Sequence, residues 1–252
     1  MWSLNRLWRG FSTYLSFFTF GVVSLVWTVL YPTLLLLPER RRQRVTRDLV
    51  RLWFQIFLRF MRGLGICTWE SHGVSALGRP GQLIVANHPM FLDIMFLLAW
   101  VPNAGCIVKG SLRRNIVTRW GVISSNYVTN DSTEEMLKGA VSSLTRGEPF
   151  IIFPEGTRTV PDTDVVFQRG AAHIAIKGAT VVTPVVLTCK PHTLTKGYPW
   201  YRIPPKKWHF TLTACEDVEL QPFRAMGAAP IASRRLNEYL QNVMTRELST
   251  HE

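Results

Sequence analysis

The sequence predicts an α/β fold: a mixed, largely parallel sheet flanked by helices and preceded by an N-terminal membrane-associating helical region. Between residues 83 and 189, apolar segments of strand length alternate with segments of helical length, the pattern of parallel strands joined by crossover helices. Before them, residues 10–38 contain no charged side chain. The tripeptide Gly63-Leu64-Gly65 separates these regions, so we predict a helical region over residues 1–64 and an α/β domain over residues 65–252.

The uncharged segment from Gly10 to Pro38 predicts a membrane-crossing helix, because it can span about 30 Å of hydrocarbon. Pro32 leaves a second arrangement open, in which the segment enters and leaves on one face of the bilayer. No small-residue cleavage site follows it, so we expect no cleavable signal peptide. Arginines flank it on both sides, and the more basic C-terminal flank favours the cytoplasmic face of the inner (plasma) membrane. They are Arg6, Arg9, Arg40, Arg41, Arg42, Arg44, Arg47 and Arg51.

The segment that follows, residues 47–62, predicts an amphipathic helix with a basic stripe. Its polar side chains recur every three or four positions, and apolar or aromatic residues cover the other faces. Such a helix suits the headgroup boundary of an anionic membrane. Packing of the helix on the α/β domain is the alternative, and both can hold because the apolar sector is wide. The stripe consists of Arg47, Arg51, Gln55, Arg59 and Arg62.

The net charge of +12 predicts a polyanionic partner, either a nucleic acid or an anionic membrane. The arginines adjoin the most apolar segment and no nucleic-acid motif is present, so we expect membrane lipids and no nucleic acid. The histidines lack metal-ligand spacing and no glycine-rich nucleotide loop occurs, so we expect neither a metal nor a bound cofactor. The cysteines lack a C-x-x-C pair and predict buried free thiols in a reducing compartment. They are Cys67, Cys106, Cys189 and Cys215.

The α/β region is predicted element by element. Gly147 suits the end of a helix over 132–146, since left-handed geometry costs glycine little. Trp208–Cys215 predicts a late strand, with an antiparallel position at the sheet edge as one option, and Pro230 opens a final helix. Further strands are predicted at 83–86, 105–109, 122–128, 149–153 and 181–189. Further helices are predicted at 92–100, 111–120 and 170–177.

A polar motif, Asn87-His88-Pro89-Met90-Phe91-Leu92-Asp93, follows the first of these strands. His88 at the strand end and Asp93 in the first turn of the next helix can face one cleft. A neutral imidazole can take a proton from an alcohol, and a carboxylate on its other nitrogen fixes the tautomer. A buried, hydrogen-bonded histidine beside a helix-cap aspartate is the alternative.

A second polar motif, Phe153-Pro154-Glu155-Gly156-Thr157-Arg158-Thr159, follows the strand at 149–153. Arginine presents a planar fork that matches phosphate oxygens, and glycine lets the backbone approach a ligand closely. An ordinary surface turn with a solvated Glu–Arg pair is the alternative. Two such motifs at the ends of two apolar strands favour a site that activates a hydroxyl beside an anionic substrate.

The motifs resemble the signature of the glycerolipid (lysophospholipid) acyltransferase family, H-x4-D followed by F-P-E-G-T-R. His88 and Asp93 match the family's catalytic pair, and residues 153–158 match its acceptor-binding block. The family's usual arginine is absent from residues 127–131, where Asn130 occurs. The resemblance extends over roughly residues 65–220. It includes Val108-Lys109-Gly110-Ser111-Leu112 and Gly121, which resemble the block lining the acceptor phosphate, and Val182-Thr183-Pro184-Val185-Val186, which resembles the apolar block beside the acyl chain.

The resemblance implies an O-acyltransferase of glycerolipid type that acts in phospholipid biosynthesis. It implies transfer of a fatty acyl group from a thioester, acyl-CoA or acyl carrier protein, to a hydroxyl of a lysophospholipid-like acceptor such as 1-acylglycerol 3-phosphate. His88 would be the general base, held by Asp93. The acceptor would be positioned by Glu155, Gly156, Thr157 and Arg158, with Lys109 and Arg169 as further candidates for its anionic group or, alternatively, as solvated surface charges.

Alternatives remain open at the level of sequence. The same chemistry can act on a non-phosphate acceptor such as an amino-acid lipid, a glycolipid or a polyene lipid. The chain can also be a non-catalytic membrane-binding scaffold that retains the fold. Residues 190–206, rich in proline and aromatic residues, predict a long loop. This loop forms a lid over the acceptor, a second membrane contact or a packed Ω-type loop.

Overall fold

A computed structural model describes residues 4–160, 165–197 and 201–251, and within it the chain begins with two long helices. Helix α1 (Leu4–Leu30) continues as a 3-10 helix over Tyr31–Leu36, and α2 (Glu39–Gly63) follows. Pro32 lies inside the 3-10 segment, while the reversal falls at Leu37 and Pro38, which have extended backbone. The division into regions 1–64 and 65–252 stays a prediction, with α2 ending close to the proposed boundary.

The segment Leu4–Leu36 is helical, long and apolar enough to cross a membrane, with a mean hydropathy of 1.8. Only 6% of its most apolar window is buried, so it is not the core helix of the α/β domain. Phe11, Phe18 and Val29 are more than half exposed along its length. An apolar surface of this extent needs a membrane or a partner to cover it.

Seven described strands form one sheet: β1 (Cys67–His72), β2 (Gln82–Ala86), β3 (Gly105–Val108), β4 (Val128–Thr129), β5 (Phe150–Ile152), β6 (Val181–Lys190) and β7 (Trp208–Ala214). Their order across the sheet is β1-β7-β6-β2-β5-β3-β4. Strands β6, β2, β5, β3 and β4 run parallel, whereas β7 is antiparallel to β6 and parallel to β1. The predicted mixed, largely parallel sheet is therefore confirmed.

Helices cover both faces of this sheet. On one face α2 and α3 pack on Ile84 and Ala86 of β2, and on the other α6, α7 and α9 pack on Leu83 and Val85. Burial on both faces is why the last four residues of β2, 83–86, form a continuous apolar run. The helices after α2 are α3 (Asp93–Trp100), α4 (Gly110–Arg114), α5 (Arg119–Ser124), α6 (Thr133–Thr145), α7 (Gly170–Gly178), α8 (Gln221–Arg224) and α9 (Ala229–His251).

One prediction for the sheet edge needs correction, and one edge strand was not predicted. Strand β7 lies between β6 and β1, so the edge option for it is wrong. The edge strand on that side of the sheet is β1, whose sequence Cys-Thr-Trp-Glu-Ser-His did not indicate a strand. Because β1 is only partly covered, four of its six residues are polar and the apolar pattern is missing.

The predicted helix 111–120 and strand 122–128 are also wrong. The structure has two short helices, α4 and α5, and a strand of only two residues, Val128–Thr129. The Asn115 side chain accepts the N–H of Val117 between the two helices and competes with helix continuation. The apolar residues at 122–123 lie in a helix that packs against the N-terminal 3-10 segment, where Gly121 fits beside the Tyr31 ring.

The basic stripe of α2 faces the α/β domain over most of its length. Arg47 is 2% exposed, and its Nη1 lies 3.0 Å from Glu148 Oε2. It also donates to the carbonyls of Ser125 and Asn103. The next two stripe residues, at 51 and 55, both donate to one carbonyl at the end of α3. The packing alternative therefore holds for the first three stripe residues.

We predict that Arg47→Met lowers the free energy of unfolding by about 3 kcal/mol, because it removes one partner of a buried ion pair. Two backbone carbonyls lose their donor in the same step. Thermal unfolding of the detergent-solubilised full chain measures the change. Arg44→Met removes an exposed arginine of the same helix and is the matched control. Equal melting temperatures for the two variants would contradict the assigned role of Arg47.

Candidate active site

His88 and Asp93 meet at the carboxyl end of β2, where α3 begins. His88 Nδ1 lies 2.8 Å from Asp93 Oδ2, and the same oxygen accepts the Met90 N–H at 2.8 Å. Because Nδ1 faces the carboxylate, Nε2 is the nitrogen available to a ligand. The His88 side chain is 19% exposed and that of Asp93 is fully buried. The Phe153 ring stacks on the imidazole with ring centroids 4.1 Å apart.

The Asp93 carboxyl lies in an environment that disfavours its charge. Burial raises its pKa to about 6, and the hydrogen bond from His88 and the charge of His88 oppose this shift. The Oδ1 atom has no hydrogen-bond partner among the described residues. Ionised Asp93 depends mainly on the imidazole, so it favours the tautomer with a proton on Nδ1 and stabilises an imidazolium. This arrangement prepares Nε2 to act as a base.

Glu155 joins the second motif to the first. Its Oε1 accepts the backbone N–H of His88 at 2.9 Å and the hydroxyl of Thr159 at 2.8 Å. The Thr159 N–H in turn donates to the His88 carbonyl at 2.7 Å. Burial raises the pKa of Glu155, while these hydrogen bonds oppose the rise. Glu155 therefore holds the backbone of His88, a role that sequence reasoning did not assign to it.

Arg158 lies at the end of the same turn and contacts the loop over residues 190–206. Its Nη1 donates to the carbonyls of Leu194 and Thr195 at 2.9 and 3.3 Å. The Leu194 carbonyl also accepts the N–H of Phe91, which belongs to the His88 motif. Thr195 and Leu194 are buried, so the described part of this loop packs against the site. Residues 198–200 of the loop lie outside the described residues.

The other predicted binding residues are more exposed. Gly156, with a φ of +69°, turns the chain beside Glu155, and Thr157 follows it on the surface. Lys109 precedes α4 and Arg169 precedes α7, both exposed and without an ion pair among the described residues. The structure thus brings His88, Asp93, Glu155 and Arg158 together. Contact of any predicted binding residue with a ligand stays a prediction.

Two further residues shape the site and received no role from the sequence. The buried Asn87 side chain bonds both the N–H and the carbonyl of Leu187 in β6, at 2.7 and 2.8 Å. It fixes the strand end directly before His88. Thr159 contacts both Glu155 and His88. Each is a polar residue at one end of a motif, Asn87 at the start of the first and Thr159 at the end of the second, and this position was the signal that could have identified them.

Asn130 also has a structural contact. Its Oδ1 accepts the Gly110 N–H at 3.1 Å, so it fixes the start of α4 next to Lys109. The adjacent Asp131 packs against Gly110 so closely that a Cβ atom there would overlap its carboxylate. Asp131 forms an ion pair with Arg114 at 2.8 Å. Glycine at position 110 is therefore a packing requirement of this segment.

The fold and the site define an α/β protein with a His–Asp pair at the carboxyl ends of parallel strands. The family model described as acyltransferase matches residues 69–188, which include both motifs. Over this range the chain is similar to the glycerolipid acyltransferase family.

Curated relatives and one solved structure resemble the chain. It is 34% identical to the 1-acyl-sn-glycerol-3-phosphate acyltransferase of Helicobacter pylori over 42% of this chain and 48% of that protein. It is 28% identical to the enzyme of that name from Saccharomyces cerevisiae over 58% of this chain and 50% of that protein. The chain thus spans about half the length of these relatives. The crystal structure of the 1-acyl-sn-glycerophosphate acyltransferase PlsC from Thermotoga maritima shares the fold, with a TM-score of 0.74, 22% identity and coverage of 99% of this chain and 98% of that one.

We predict that Asp93→Asn changes how stability depends on pH. The folded protein binds a proton at Asp93 with a pKa of about 6, while the reference value is 3.8. The contribution of this group to stability is therefore complete below about pH 4 and is lost as the pH rises through 6. Asparagine cannot ionise. Relative to wild type, the free energy of unfolding of the variant should therefore rise by on the order of 3 kcal/mol between pH 4 and 6.5. Thermal unfolding across that range measures it.

Asp48→Asn is the control for this measurement, because it removes an exposed carboxylate from α2. The difference in free energy of unfolding between Asp48→Asn and wild type should stay constant over the same pH range. A constant difference for Asp93→Asn as well would contradict the raised pKa of Asp93.

Proposed function

We propose that this chain is a membrane-associated O-acyltransferase that moves a fatty acyl group from a thioester to the free hydroxyl of 1-acylglycerol 3-phosphate. The observation that supports it most is the accessible imidazole of His88, held 2.8 Å from buried Asp93 and next to the complete Phe153–Arg158 turn. The names of the curated relatives specify the same acceptor. The exposed apolar helix Leu4–Leu36 supports the membrane setting, and we propose its cytoplasmic face.

His88 acts as general base in the proposed reaction. Its Nε2 takes the proton of the acceptor hydroxyl as that oxygen attacks the thioester carbonyl carbon. The tetrahedral intermediate then expels the thiolate, which receives the proton from the imidazolium, so that no acyl-enzyme forms. Asp93 stabilises the imidazolium at the intermediate stage. General-base help of this kind contributes about 10²–10⁴ in rate.

The turn after β5 offers donors for the developing oxyanion. The N–H groups of His88, Met90 and Phe91 are already engaged by a carboxylate or a carbonyl. Those of Thr157 and Arg158 have no hydrogen bond to described residues. We therefore assign the oxyanion donors to this turn rather than to the His88 motif.

The anionic group of the acceptor would meet three cations. Arg158 is next to the His88 site but donates to two carbonyls of the loop. Lys109 and Arg169 are exposed and have no ion pair among the described residues. We propose that these three side chains hold the phosphate. Because Arg158 is engaged and Asn130 is uncharged, a non-phosphate acceptor is the second candidate. The donor is acyl-CoA or acyl carrier protein, and no cofactor is required.

We predict that His88→Ala lowers acceptor-dependent acyl transfer by about 10²–10⁴ without loss of folding or membrane association. Thiol release would be measured from palmitoyl-CoA and palmitoyl-acyl carrier protein with the full chain in detergent. Lysophosphatidate, other lysophospholipids and a lyso-ornithine lipid would be offered as acceptors. His72 is exposed and ends edge strand β1, which β7 and β6 separate from β2. His72→Ala should therefore retain wild-type release.

Each outcome of that assay is informative. Release with lysophosphatidate that is lost in His88→Ala supports the proposal. Release only with the lyso-ornithine lipid favours the non-phosphate acceptor. Unchanged turnover in His88→Ala would exclude His88 as the base, and no release with any donor and acceptor would favour a non-catalytic scaffold.

We predict that Glu155→Ala lowers kcat by about 10–100-fold with little change in the KM for the acceptor, because Glu155 positions the His88 backbone. Glu155→Gln keeps an accepting oxygen and should recover part of the rate. Steady-state kinetics measure both parameters, and Glu219→Ala removes an exposed carboxylate elsewhere as the control. A raised KM with unchanged kcat would instead support the direct acceptor contact expected from the sequence.

A further inference from the structure

A cavity of about 350 Å³ lies between α2, β1 and the end of α3. The last residues of α3 line it, whereas the first residue of that helix, Asp93, contacts His88. The two sites are thus at opposite ends of a helix roughly 12 Å long. None of the residues of the proposed acyl-transfer site belongs to this cavity. Its lining consists of Arg51, Gln55, Arg59, Trp69, Ala99 and Trp100.

The cavity is basic and its charge is not neutralised. Arg51 Nε and Gln55 Nε2 both donate to the Ala99 carbonyl, at 3.3 and 2.8 Å. This contact fixes Arg51 while its terminal nitrogens stay free of protein partners among the described residues. Arg59 has neither an ion pair nor a hydrogen bond there, and Asp48, one turn before Arg51, pairs with neither arginine. Two guanidinium groups without a carboxylate match the oxygens of a phosphate.

Aromatic residues complete the wall of the cavity. Trp69 and Trp100 meet edge to face with ring centroids 6.0 Å apart. The guanidinium of Arg62 lies 4.9 Å from the centroid of the Trp69 ring, which adds a third cation at this wall. Tryptophan and arginine together are characteristic of the level of lipid headgroups.

An apolar groove of about 220 Å³ occupies the neighbouring face of α2. Leu52 and Ile56 line this groove, and each follows a lining residue of the basic cavity, Arg51 or Gln55, by one position. One position along a helix turns the side chain by about 100°. Leu52 and Ile56 are about half exposed, at 51% and 49%. The groove is lined by Val23, Val26, Trp27, Leu30, Leu49, Leu52, Trp53 and Ile56.

We propose that the basic cavity binds the phosphate of an anionic membrane phospholipid whose acyl chain lies in the adjoining groove. A phosphate alone would use the arginines, but it would leave the groove on the same helix uncovered. A phospholipid meets both surfaces at once, and its bilayer also covers the exposed apolar side of α1. The site holds a lipid that is not the acyl acceptor. It does not depend on the proposed catalytic function.

Native mass spectrometry of the full chain in detergent tests this proposal, with phosphatidylglycerol as the probe. Phosphatidylcholine and inorganic phosphate are the comparison ligands. Wild type should retain one phosphatidylglycerol, and Arg51→Gln/Arg59→Gln should weaken that binding at least tenfold. Arg41→Gln/Arg44→Gln removes the same charge from exposed positions of the same helix. It should change the binding of phosphatidylglycerol less than twofold.

Equal weakening in the two double variants would show a general charge attraction and overturn the site. Equal retention of phosphatidylcholine would overturn an anionic occupant, and displacement of the lipid by millimolar inorganic phosphate would show a small-anion site instead. If the first double variant unfolds, Arg59→Gln replaces it, because Arg59 makes no hydrogen bond among the described residues. Unchanged binding in that single variant would also contradict the proposal. Ile56→Asn tests the groove and should weaken retention of the lipid while leaving any binding of phosphate unchanged.

Discussion

The fully buried carboxylate of Asp93 is the constraint on which the site depends. A charge without water is expensive, and here one imidazole and one backbone N–H offset the cost. The distance between the His88 imidazole and the Asp93 carboxylate therefore has to be kept short, and neighbouring residues fix it. Asn87 fixes the strand end before His88, and Glu155 fixes the His88 backbone. The polar residues around the pair thus hold the His88 imidazole in one orientation.

Sheet register explains how two motifs more than sixty residues apart meet. Strands β2 and β5 are parallel neighbours, with Val85 opposite Ile152. His88 and Glu155 each follow these partners by three residues, so they emerge at the same level of the sheet. Because both strands are fully buried and apolar, a slip of register would expose one of them or bury polar groups. The fold therefore sets the distance between His88 and the Glu155 carboxylate that holds its backbone.

The sequence predicted those parts of the molecule whose signal is local. Buried apolar strands such as β2, the glycine after α6 and the His–Asp spacing are each visible within a few residues. The edge strand β1 and helix α5 were missed, because their composition reflects neighbours distant in sequence. The same holds for Arg47, which looked like a membrane-facing arginine and is buried against Glu148. The contact of Glu155 with a backbone N–H left no trace in residue type, since a ligand-binding carboxylate looks the same.

The N-terminal helices are part of the architecture of the site as well as an apolar surface. Helix α2 is held to the α/β domain by Arg47, and Trp8 of α1 donates to the Leu64 carbonyl where α2 ends. Arg9 of α1 donates to the Pro205 carbonyl, at the far end of the loop whose near end contacts Arg158. One loop therefore contacts both the apolar helix and the turn beside His88. The loop is thus hydrogen-bonded to α1 near one end and to Arg158 near the other, so the apolar helix and the turn beside His88 are supported by the same segment.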